Sequence, residues 1–326
     1  MTVVSGKKTI VVGYAGQDGS LLISDLQKRG DEIIGIGRSS SIYPVGFPYN
    51  VITDITNFQE VYKVIRLFRP DEIYYLPAYH FSSEAGVTQA SLFSQFQSAQ
   101  AIHVTGLVNC LSAIVDESPA TRLFYASSSL VFSGENGERQ DESTPLTPQG
   151  LYGITKTQGM QLCREYRKTH QVFASTGILY NHESHLRAPG FLSAKIIKTA
   201  IRISEGSHEQ LEIGNLSSRV DWGYAKDYVV AFQKILEASN PDDFIIATGE
   251  AHTVKLFIEV VFGYFNLSPD KYVVENTNIL TRKPFVKIGD ASKLRGVTNW
   301  KPSYKFIDFV IQLIKDHQIQ AVNKSE

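Results

Sequence analysis

The sequence predicts an α/β protein built on a doubly wound parallel sheet, with a smaller C-terminal lobe. Short β-branched runs alternate with longer amphipathic segments through the first half, a glycine-rich turn follows the first run, and the alternation breaks up after about Gly177. Continuous apolar strands separated by helices are typical of a parallel sheet covered on both faces. Right-handed crossovers between such strands then give the doubly wound order.

The first half supplies most of the sheet and its covering helices. Runs rich in β-branched and aromatic residues predict strands at Thr9–Gly13, Glu32–Ile36, Val51–Thr53, Glu72–Leu76, Arg122–Ser127 and Val172–Gly177. Apolar residues at helical spacing predict helices near Ser20–Arg29, Phe58–Phe68, Gln89–Val115 and Gly150–Lys168. These elements place residues 1–178 in one domain.

The second half is less regular. Its predicted elements are a polar loop at Asn181–Gly190, helices at Ala194–Ser204, Lys226–Glu237 and Phe306–Asp316, and strands at Leu211–Ile213 and Phe244–Ala247. The helix and strand within about 224–248 are expected to rejoin the main sheet. Residues from about 179 to 223 and from 249 to 326 then form the smaller lobe, and a cleft between two lobes suits a ligand.

Composition favours a soluble globular protein with a sizeable core. Hydrophobic residues make up 43% of the chain, and 32 Lys and Arg balance 33 Asp and Glu to a net charge of −1. This balance argues against a broad nucleic-acid or membrane surface. Two cysteines make no disulfide framework, the first residues do not resemble a signal peptide, and no apolar run approaches the ~18 residues of a membrane span. We therefore expect a cytoplasmic location.

A glycine-rich turn follows the first predicted strand. Gly13, Gly16 and Gly19 enclose Gln17 and Asp18, and the first helix begins within this segment. Glycine lets the backbone approach a pyrophosphate, and the free N–H groups at a helix start attract its charge. The turn thus predicts a Rossmann-like dinucleotide site, and a tight turn without a ligand is the alternative.

The end of the second strand favours NADP over NAD. NAD-binding enzymes keep a carboxylate there for the ribose 2′-hydroxyl, whereas this chain has Arg38 and Ser39, which suit a 2′-phosphate. A solvated surface arginine is the alternative. The adenine and ribose are expected to rest against residues that follow the third and fourth strands, namely Asp54, Ile55, Leu76 and Ala78.

The expected acid–base group is Tyr152, with Lys156 one helical turn further on. A nearby ammonium lowers a phenol pKa, so Tyr152 could exchange the proton of a carbinol while Lys156 also holds the nicotinamide ribose. With 16 tyrosines in the chain, about one such pair is expected by chance. Ser128, at the carboxyl end of the fifth strand, gives the pair weight because ligands bind at that edge of a parallel sheet.

These motifs resemble the GDP-mannose 4,6-dehydratases, within the extended short-chain dehydrogenases. The resemblance rests on Gly16–Ser20, Arg38–Ser41, Arg69–Tyr74, Gly177–Ser184, Gly214–Asn215, Asp221–Tyr228, Ala247–Glu250, Ile288–Asp290 and Trp300–Pro302, which span nearly the whole chain. It implies that the larger domain binds NADP with help from Leu179, His182 and Arg187. It also implies that the smaller lobe binds a nucleotide sugar, with contacts from Ser82, Ser128, Asn181, Lys195 and Arg219. No metal site is expected, because His182 and His185 have no visible third ligand.

The chain departs from the family's pattern at the position of the catalytic base. The family has a glutamate two places after the catalytic Ser or Thr, and this chain has Leu130, which cannot accept a proton. We therefore expect hydride transfer at C4 of a GDP-sugar, by a 4-keto reductase, a 4-dehydrogenase or an epimerase. Two alternatives stay open: a 4,6-dehydratase that uses another carboxylate such as Glu84 or Glu135, and a catalytically silent NADP-binding sensor or structural subunit.

The resemblance also implies a homodimer. In relatives, the helices that correspond to Gln89–Val115 and Gly150–Lys168 pair with those of a second copy in a four-helix bundle. A tetramer is less expected, because the family's arginine downstream of the Ser-rich loop is missing from Ile42–Pro48.

Overall fold

The computed structural model describes residues 6–37, 50–52, 54–79, 89–134, 139–279 and 286–322. Its strands are β1 Lys8–Val12, β2 Glu32–Gly37, β3 Asn50–Ile52, β4 Glu72–Tyr75, β5 Arg122–Ala126, β6 Arg139–Gln140, β7 Phe173–Leu179, β8 Asn181–Glu183, β9 Leu211–Ile213, β10 Arg219–Tyr224, β11 Asp243–Ile246, β12 Ala251–Thr253, β13 Val273–Glu275 and β14 Ile288–Gly289. Its α-helices are α1 Gln17–Arg29, α2 Phe58–Phe68, α3 Gln89–Gln100, α4 Gly106–Glu117, α5 Gly150–His170, α6 Leu192–Ser204, α7 Ala225–Glu237, α8 Val254–Tyr264, α9 Pro269–Tyr272, α10 Ser292–Thr298 and α11 Phe306–Val322.

The main sheet is parallel throughout, and its seven strands follow the order β11-β7-β5-β4-β1-β2-β3. Central strands are buried on both faces, so their apolar residues run continuously instead of alternating with polar ones. Ile10, for example, lies between Ile34 and Ile73. The predicted doubly wound α/β fold is confirmed.

Helices cover both faces of this sheet. On one face α1 and α7 bury side chains such as Leu22 and Phe232. On the other face α2, α4 and α5 bury Ile65, Leu111 and Cys163. The carboxyl ends of all seven strands meet at one edge, where parallel sheets bind their ligands.

A separate apolar cluster lies in the second half of the chain. It joins α6, α8 and α11 to β9 and β10, and it centres on Ile197, Trp222, Phe257 and Phe309. Helix α7 and strand β11 instead join the main sheet. The exact division into a cofactor domain and a substrate lobe stays a prediction.

Two local predictions are corrected. The predicted polar loop Asn181–Gly190 begins with β8, because its backbone pairs with β10, a strand that lies far along the chain. The predicted helix Gln89–Val115 is interrupted by a π-helical turn at Ala101–Thr105, which separates α3 from α4.

The same helical run overturns the expectation about membrane-span length. Leu92–Glu117 is 26 residues long and contains an 18-residue stretch with a mean hydropathy of 1.3, so it could cross a membrane by length and composition alone. Leu107, Leu111 and Ile114 of this run pack in the core against the main sheet. A buried core helix has the same composition for that reason.

Candidate active site

The glycine turn is built by close backbone contacts. Gly13 has a φ of +82°, and its N–H donates to the Ile36 carbonyl at 2.9 Å. A Cβ at Gly19 would lie 2.6 Å from the carbonyl oxygen of Gly13, so strand and helix approach too closely for a side chain. Gly16 begins α1 in extended conformation, and a Cβ there would meet nothing nearer than 3.4 Å. A side chain at Gly16 would therefore make only an ordinary contact with the turn.

Gln17 and Asp18 bind the chain segment that follows β7. Gln17 Nε2 donates to the His182 carbonyl at 3.1 Å, and the Ser184 hydroxyl donates to Gln17 Oε1 at 2.9 Å. His182 Nε2 lies 3.0 Å from Asp18 Oδ2, and its Nδ1 donates to the Tyr180 carbonyl at 2.7 Å. These contacts fix the glycine turn to strand β8.

Asp18 and His182 form a buried ion pair. Burial alone would raise the pKa of Asp18, but the charge and hydrogen bond of His182 outweigh it and lower that pKa. Burial alone would lower the pKa of His182, but Asp18 outweighs it and raises that pKa. The imidazole also stacks on Tyr228, with ring centroids 4.5 Å apart. Charge and stacking together hold His182 in one orientation.

Lys156 is fully buried at the carboxyl edge of the sheet. Its Nζ donates to the Ala126 carbonyl at 2.8 Å and to the Pro77 carbonyl at 3.1 Å. Burial lowers the pKa of Lys156 to about 7, while Asp18 opposes that fall. The lysine thus ties the ends of β4 and β5 to helix α5.

Tyr152 lies at the start of α5, and its ring centroid is 5.7 Å from Lys156 Nζ. Burial raises the pKa of Tyr152 above its ordinary value, Arg187 lowers it and Asp18 raises it further. The expectation that Lys156 lowers this pKa is therefore wrong, because the cost of burying a phenolate outweighs the nearby positive charges. The Tyr152 phenol is protonated at neutral pH.

Ser128 leaves β5 in extended conformation and begins a short 3₁₀ turn at Ser129–Val131. Its Oγ accepts the backbone N–H of Leu130 at 3.2 Å. The turn packs directly on α5, since a Cβ at Gly153 would lie 2.4 Å from the Leu130 carbonyl oxygen. Glycine after Tyr152 therefore lets the Ser128 turn reach the helix that carries Tyr152 and Lys156.

The residues predicted to contact the adenine and ribose lie at or after the ends of strands. Leu76 and Ala78 follow β4, and the segment passes Gly13 so closely that a Cβ there would lie 2.9 Å from Pro77 N. Asp54 accepts the N–H and hydroxyl of Thr56 in a local turn, and the Ile55 carbonyl accepts Asn109 Nδ2 at 2.9 Å. Leu179 ends β7 at the same edge.

The predicted substrate contacts are more scattered. Asn181 is exposed on β8, Lys195 is half-buried on α6, and Arg219 begins β10, where its Nη2 donates to the Ala251 carbonyl at 3.1 Å. Arg187 lies near the acid–base group, since its charge acts on both Tyr152 and Asp18. Several predicted residues lie outside the described residues, namely Arg38, Ser39, Ser82, Glu84 and Glu135.

Two residues at this edge had no predicted role. His103 is buried on the π-helical turn, and its ring meets the Tyr152 ring edge-on. Asp221 is buried and accepts the backbone N–H groups of Thr248, Gly249 and Gly289. A lone histidine in an apolar helix gives no signal in the sequence, because the π-turn that points it inward is invisible there.

Among the described residues, no group of three potential metal ligands occurs.

The sheet, the glycine turn and the Ser128, Tyr152 and Lys156 group define an extended short-chain dehydrogenase. More particularly, the chain belongs to the GDP-mannose 4,6 dehydratase family, which it matches over residues 10–313. This is a family of enzymes that modify nucleotide sugars.

Known proteins agree with that assignment. The chain is 32% identical to GDP-mannose 4,6 dehydratase 2 of Arabidopsis thaliana, an alignment that covers 100% of this chain and 90% of the relative. The fold is shared with UDP-glucose 4-epimerase of Thermotoga maritima, solved with UDP-glucose, at 18% identity, a TM-score of 0.82 and coverage of 97% and 99%. It is also shared with dTDP-glucose 4,6-dehydratase of Bacillus anthracis, solved with NAD, at 18% identity, a TM-score of 0.81 and coverage of 96% and 97%.

Proposed function

We propose that this protein transfers a hydride at C4 of a GDP-hexose or related nucleotide sugar with NADP, as a 4-keto reductase, a 4-dehydrogenase or an epimerase. One observation carries the proposal. The turn that begins at Ser128 packs on the helix that carries Tyr152 and Lys156, and Leu130 lies in that turn. The groups that C4 redox chemistry needs are present, whereas the residue in the family's base position cannot take a proton.

The glycine turn fits a dinucleotide. The glycine at position 16 and the N–H groups of the α1 start suit a pyrophosphate, and Leu76, Ala78 and Leu179 suit the adenine and nicotinamide halves. A bound nicotinamide supplies or accepts the hydride. NADP is preferred over NAD because Arg38 stands where NAD enzymes keep a carboxylate.

The proton step falls to Tyr152. Its phenol is neutral and half-buried, so it can donate to a developing C4 alkoxide and Ser128 can hydrogen-bond the same oxygen. Lys156 holds the strand ends on either side and supports the negative charge that forms when Tyr152 gives up its proton. In the opposite direction the same groups would take the proton from a C4 hydroxyl.

A 4,6-dehydratase is the second candidate. The family match and the Arabidopsis relative favour it. It requires a base that removes the C5 proton, and Glu84 and Glu135 are the candidates that the sequence offers. Either would have to reach the substrate beside Leu130.

One experiment separates these functions. Purified protein is incubated with GDP-mannose and NADP, and separately with a 4-keto-6-deoxy GDP-hexose and NADPH, and products are identified by mass spectrometry. We expect NADPH oxidation with the keto sugar and no 4-keto-6-deoxy product from GDP-mannose. Formation of that product by the unmodified protein would contradict the redox proposal and establish the dehydratase.

Leu130→Glu sharpens this test, with Leu130→Gln as the uncharged control of equal size. The glutamate restores the proposed base, so dehydration of GDP-mannose should rise by at least about 10²-fold over the glutamine variant. A catalytically silent sensor or structural subunit would behave differently. It would turn over neither sugar, and Tyr152→Phe would change none of its cellular effects.

A cytoplasmic homodimer completes the proposal. Both cysteines are free and buried, as expected in a reducing compartment. Leu92, Phe93, Phe96 and Ile154 are exposed on α3 and α5, the helices predicted to pair with a second copy.

A further inference from the structure

His103 lies at the centre of the helix irregularity between α3 and α4. Residues Ala101–Thr105 form a π-helical turn, in which the Gly106 N–H bonds to the Ala101 carbonyl. The Ile102 carbonyl accepts the hydroxyl of Tyr75, at the end of β4. π-turns are frequent at functional sites because they turn a side chain out of the regular helical spacing. Here the turn directs His103, which is 0% exposed, towards the carboxyl edge of the sheet.

Both ring nitrogens of His103 have partners. Nε2 accepts the backbone N–H of Tyr79 at 2.9 Å, so Nε2 carries no proton. The proton therefore lies on Nδ1, which donates to Thr155 Oγ1 at 2.8 Å. Thr155 in turn donates to the Leu151 carbonyl at 3.0 Å. These bonds fix a neutral ring in a single orientation.

The partners of His103 belong to the two segments that build the candidate active site. Tyr79 ends the strand segment whose Pro77 carbonyl accepts Lys156 Nζ. Thr155 lies on the second turn of α5, between Tyr152 and Lys156. The His103 ring also meets the Tyr152 ring edge-on, with centroids 5.2 Å apart and planes at 89°, an arrangement that aromatic rings favour. The His103 ring thus contacts Tyr152, and it bonds both to the segment after β4, through the Tyr79 N–H, and to α5, through the Thr155 hydroxyl.

We propose that His103 is the positioning residue of the acid–base group: it sets the orientation of the Tyr152 ring and the spacing between residues 76–79 and helix α5. The effect of His103 on turnover rests on the proposed function, whereas its effect on the position of Tyr152 does not. A proton-relay role is not supported, because Nε2 faces a backbone N–H and the Thr155 proton goes to a backbone carbonyl. His103 therefore acts through Tyr152 and exchanges no proton with the substrate.

The test compares three substitutions at the position of His103 with a control. His103→Leu removes both hydrogen bonds, His103→Gln keeps an acceptor for Tyr79, and His103→Asn keeps a donor for Thr155. Ile114→Val, on the same helical run and buried away from the site, is the control for core packing. Each variant is measured for kcat, KM, the pH dependence of kcat and thermal unfolding, with NADPH and the keto sugar.

We expect His103→Leu to lower kcat by about 10- to 100-fold, with KM changed by less than about 3-fold, because a misplaced acid slows the chemical step more than binding. The apparent pKa in the pH dependence of kcat should differ between His103→Leu and the natural protein. His103→Gln or His103→Asn should recover part of the loss, and Ile114→Val should change kcat by less than about 2-fold. If His103→Leu unfolds earlier but keeps the kcat and pH profile of the natural protein, the residue is only structural and the proposal fails.

A second measurement does not depend on turnover. Crystal structures of the natural protein and of His103→Leu should differ in the Tyr152 ring angle and in the distance between Tyr79 and Thr155. If the natural protein turns over no nucleotide sugar, the proposed function fails, and this comparison still decides the role of His103. An unchanged Tyr152 ring and an unchanged backbone would overturn the inference.

Discussion

Burial of Lys156 should make the stability of this protein strongly dependent on pH. The Nζ group is enclosed, and burial lowers the pKa of the lysine to about 7, against an ordinary value of 10.5. Between these two values the unfolded chain holds a proton that the folded protein has released. The free energy of unfolding therefore rises as the pH rises from about 7 to 10.5.

The size of this effect follows from the two pKa values. At about 1.4 kcal/mol for each pH unit, the whole difference corresponds to about 5 kcal/mol. Between pH 7 and pH 9.5, a range accessible to experiment, about 3 kcal/mol of it should appear. Lys156→Met removes the titrating group and keeps a chain of similar length, so it should lose this rise.

Urea denaturation of the cofactor-free protein at a series of pH values measures the effect directly. The unfolding free energy of the natural protein minus that of Lys156→Met should increase by about 3 kcal/mol from pH 7 to pH 9.5. The control is Lys255→Met, since the Lys255 side chain is 69% exposed and should leave the curve unchanged. Parallel curves for the natural protein and Lys156→Met would refute the reasoning, because they would show that Lys156 titrates normally when folded.

Three further predictions follow from other contacts. Gly153→Ala should lower kcat by about 10-fold or more, as measured by steady-state kinetics. The added Cβ would lie 2.4 Å from the Leu130 carbonyl oxygen and push the Ser128 turn away from α5. Phe93→Glu should convert a dimer into monomers, because Phe93 is 67% exposed on α3; light scattering that shows no change would exclude this face. Burial, helped by the charges of Lys198 and His185, lowers the pKa of His317 to about 4. The folded protein therefore resists protonation of His317, and its free energy of unfolding falls as the pH drops from about 6.5 to 4. In acid denaturation, His317→Leu should reduce that fall by up to about 3 kcal/mol.

Strands with an apolar sequence were predictable, including β11, which pairs with the distant β7, whereas a strand with a polar sequence was not. β1, β2, β4 and β5 coincide with predicted runs of apolar, β-branched and aromatic residues, and they lie side by side in the parallel sheet. β8 has a polar sequence and becomes a strand only by pairing with β10. Helix α8 received no prediction because its β-branched residues favour a strand locally, whereas the structure caps it with Thr253 and buries its apolar face in the second cluster.

The positions of the site residues were more predictable than their charges. Ser128 follows β5 at the carboxyl edge of the sheet, and Lys156 of α5 reaches the same edge through the Ala126 and Pro77 carbonyls. The pKa values depend instead on how deeply each group is buried, and the sequence carries no direct measure of depth. The predicted effect of Lys156 on Tyr152 was wrong for that reason. His103 was missed because its role depends on the π-turn.

Burial and the charge of Asp18 together set the protonation of Tyr152 and Lys156. Asp18 is held ionised by His182, and its negative charge raises the pKa of both Lys156 and Tyr152. Asp18 thus opposes the loss of the Lys156 proton that burial favours, and it adds to the burial that keeps the Tyr152 phenol neutral. Leu130 adds no base on the same side. A dehydratase needs a group that removes a proton from carbon, which Leu130 cannot do, whereas the proposed C4 redox chemistry needs a group that exchanges a proton with oxygen, which a phenol can do in either direction.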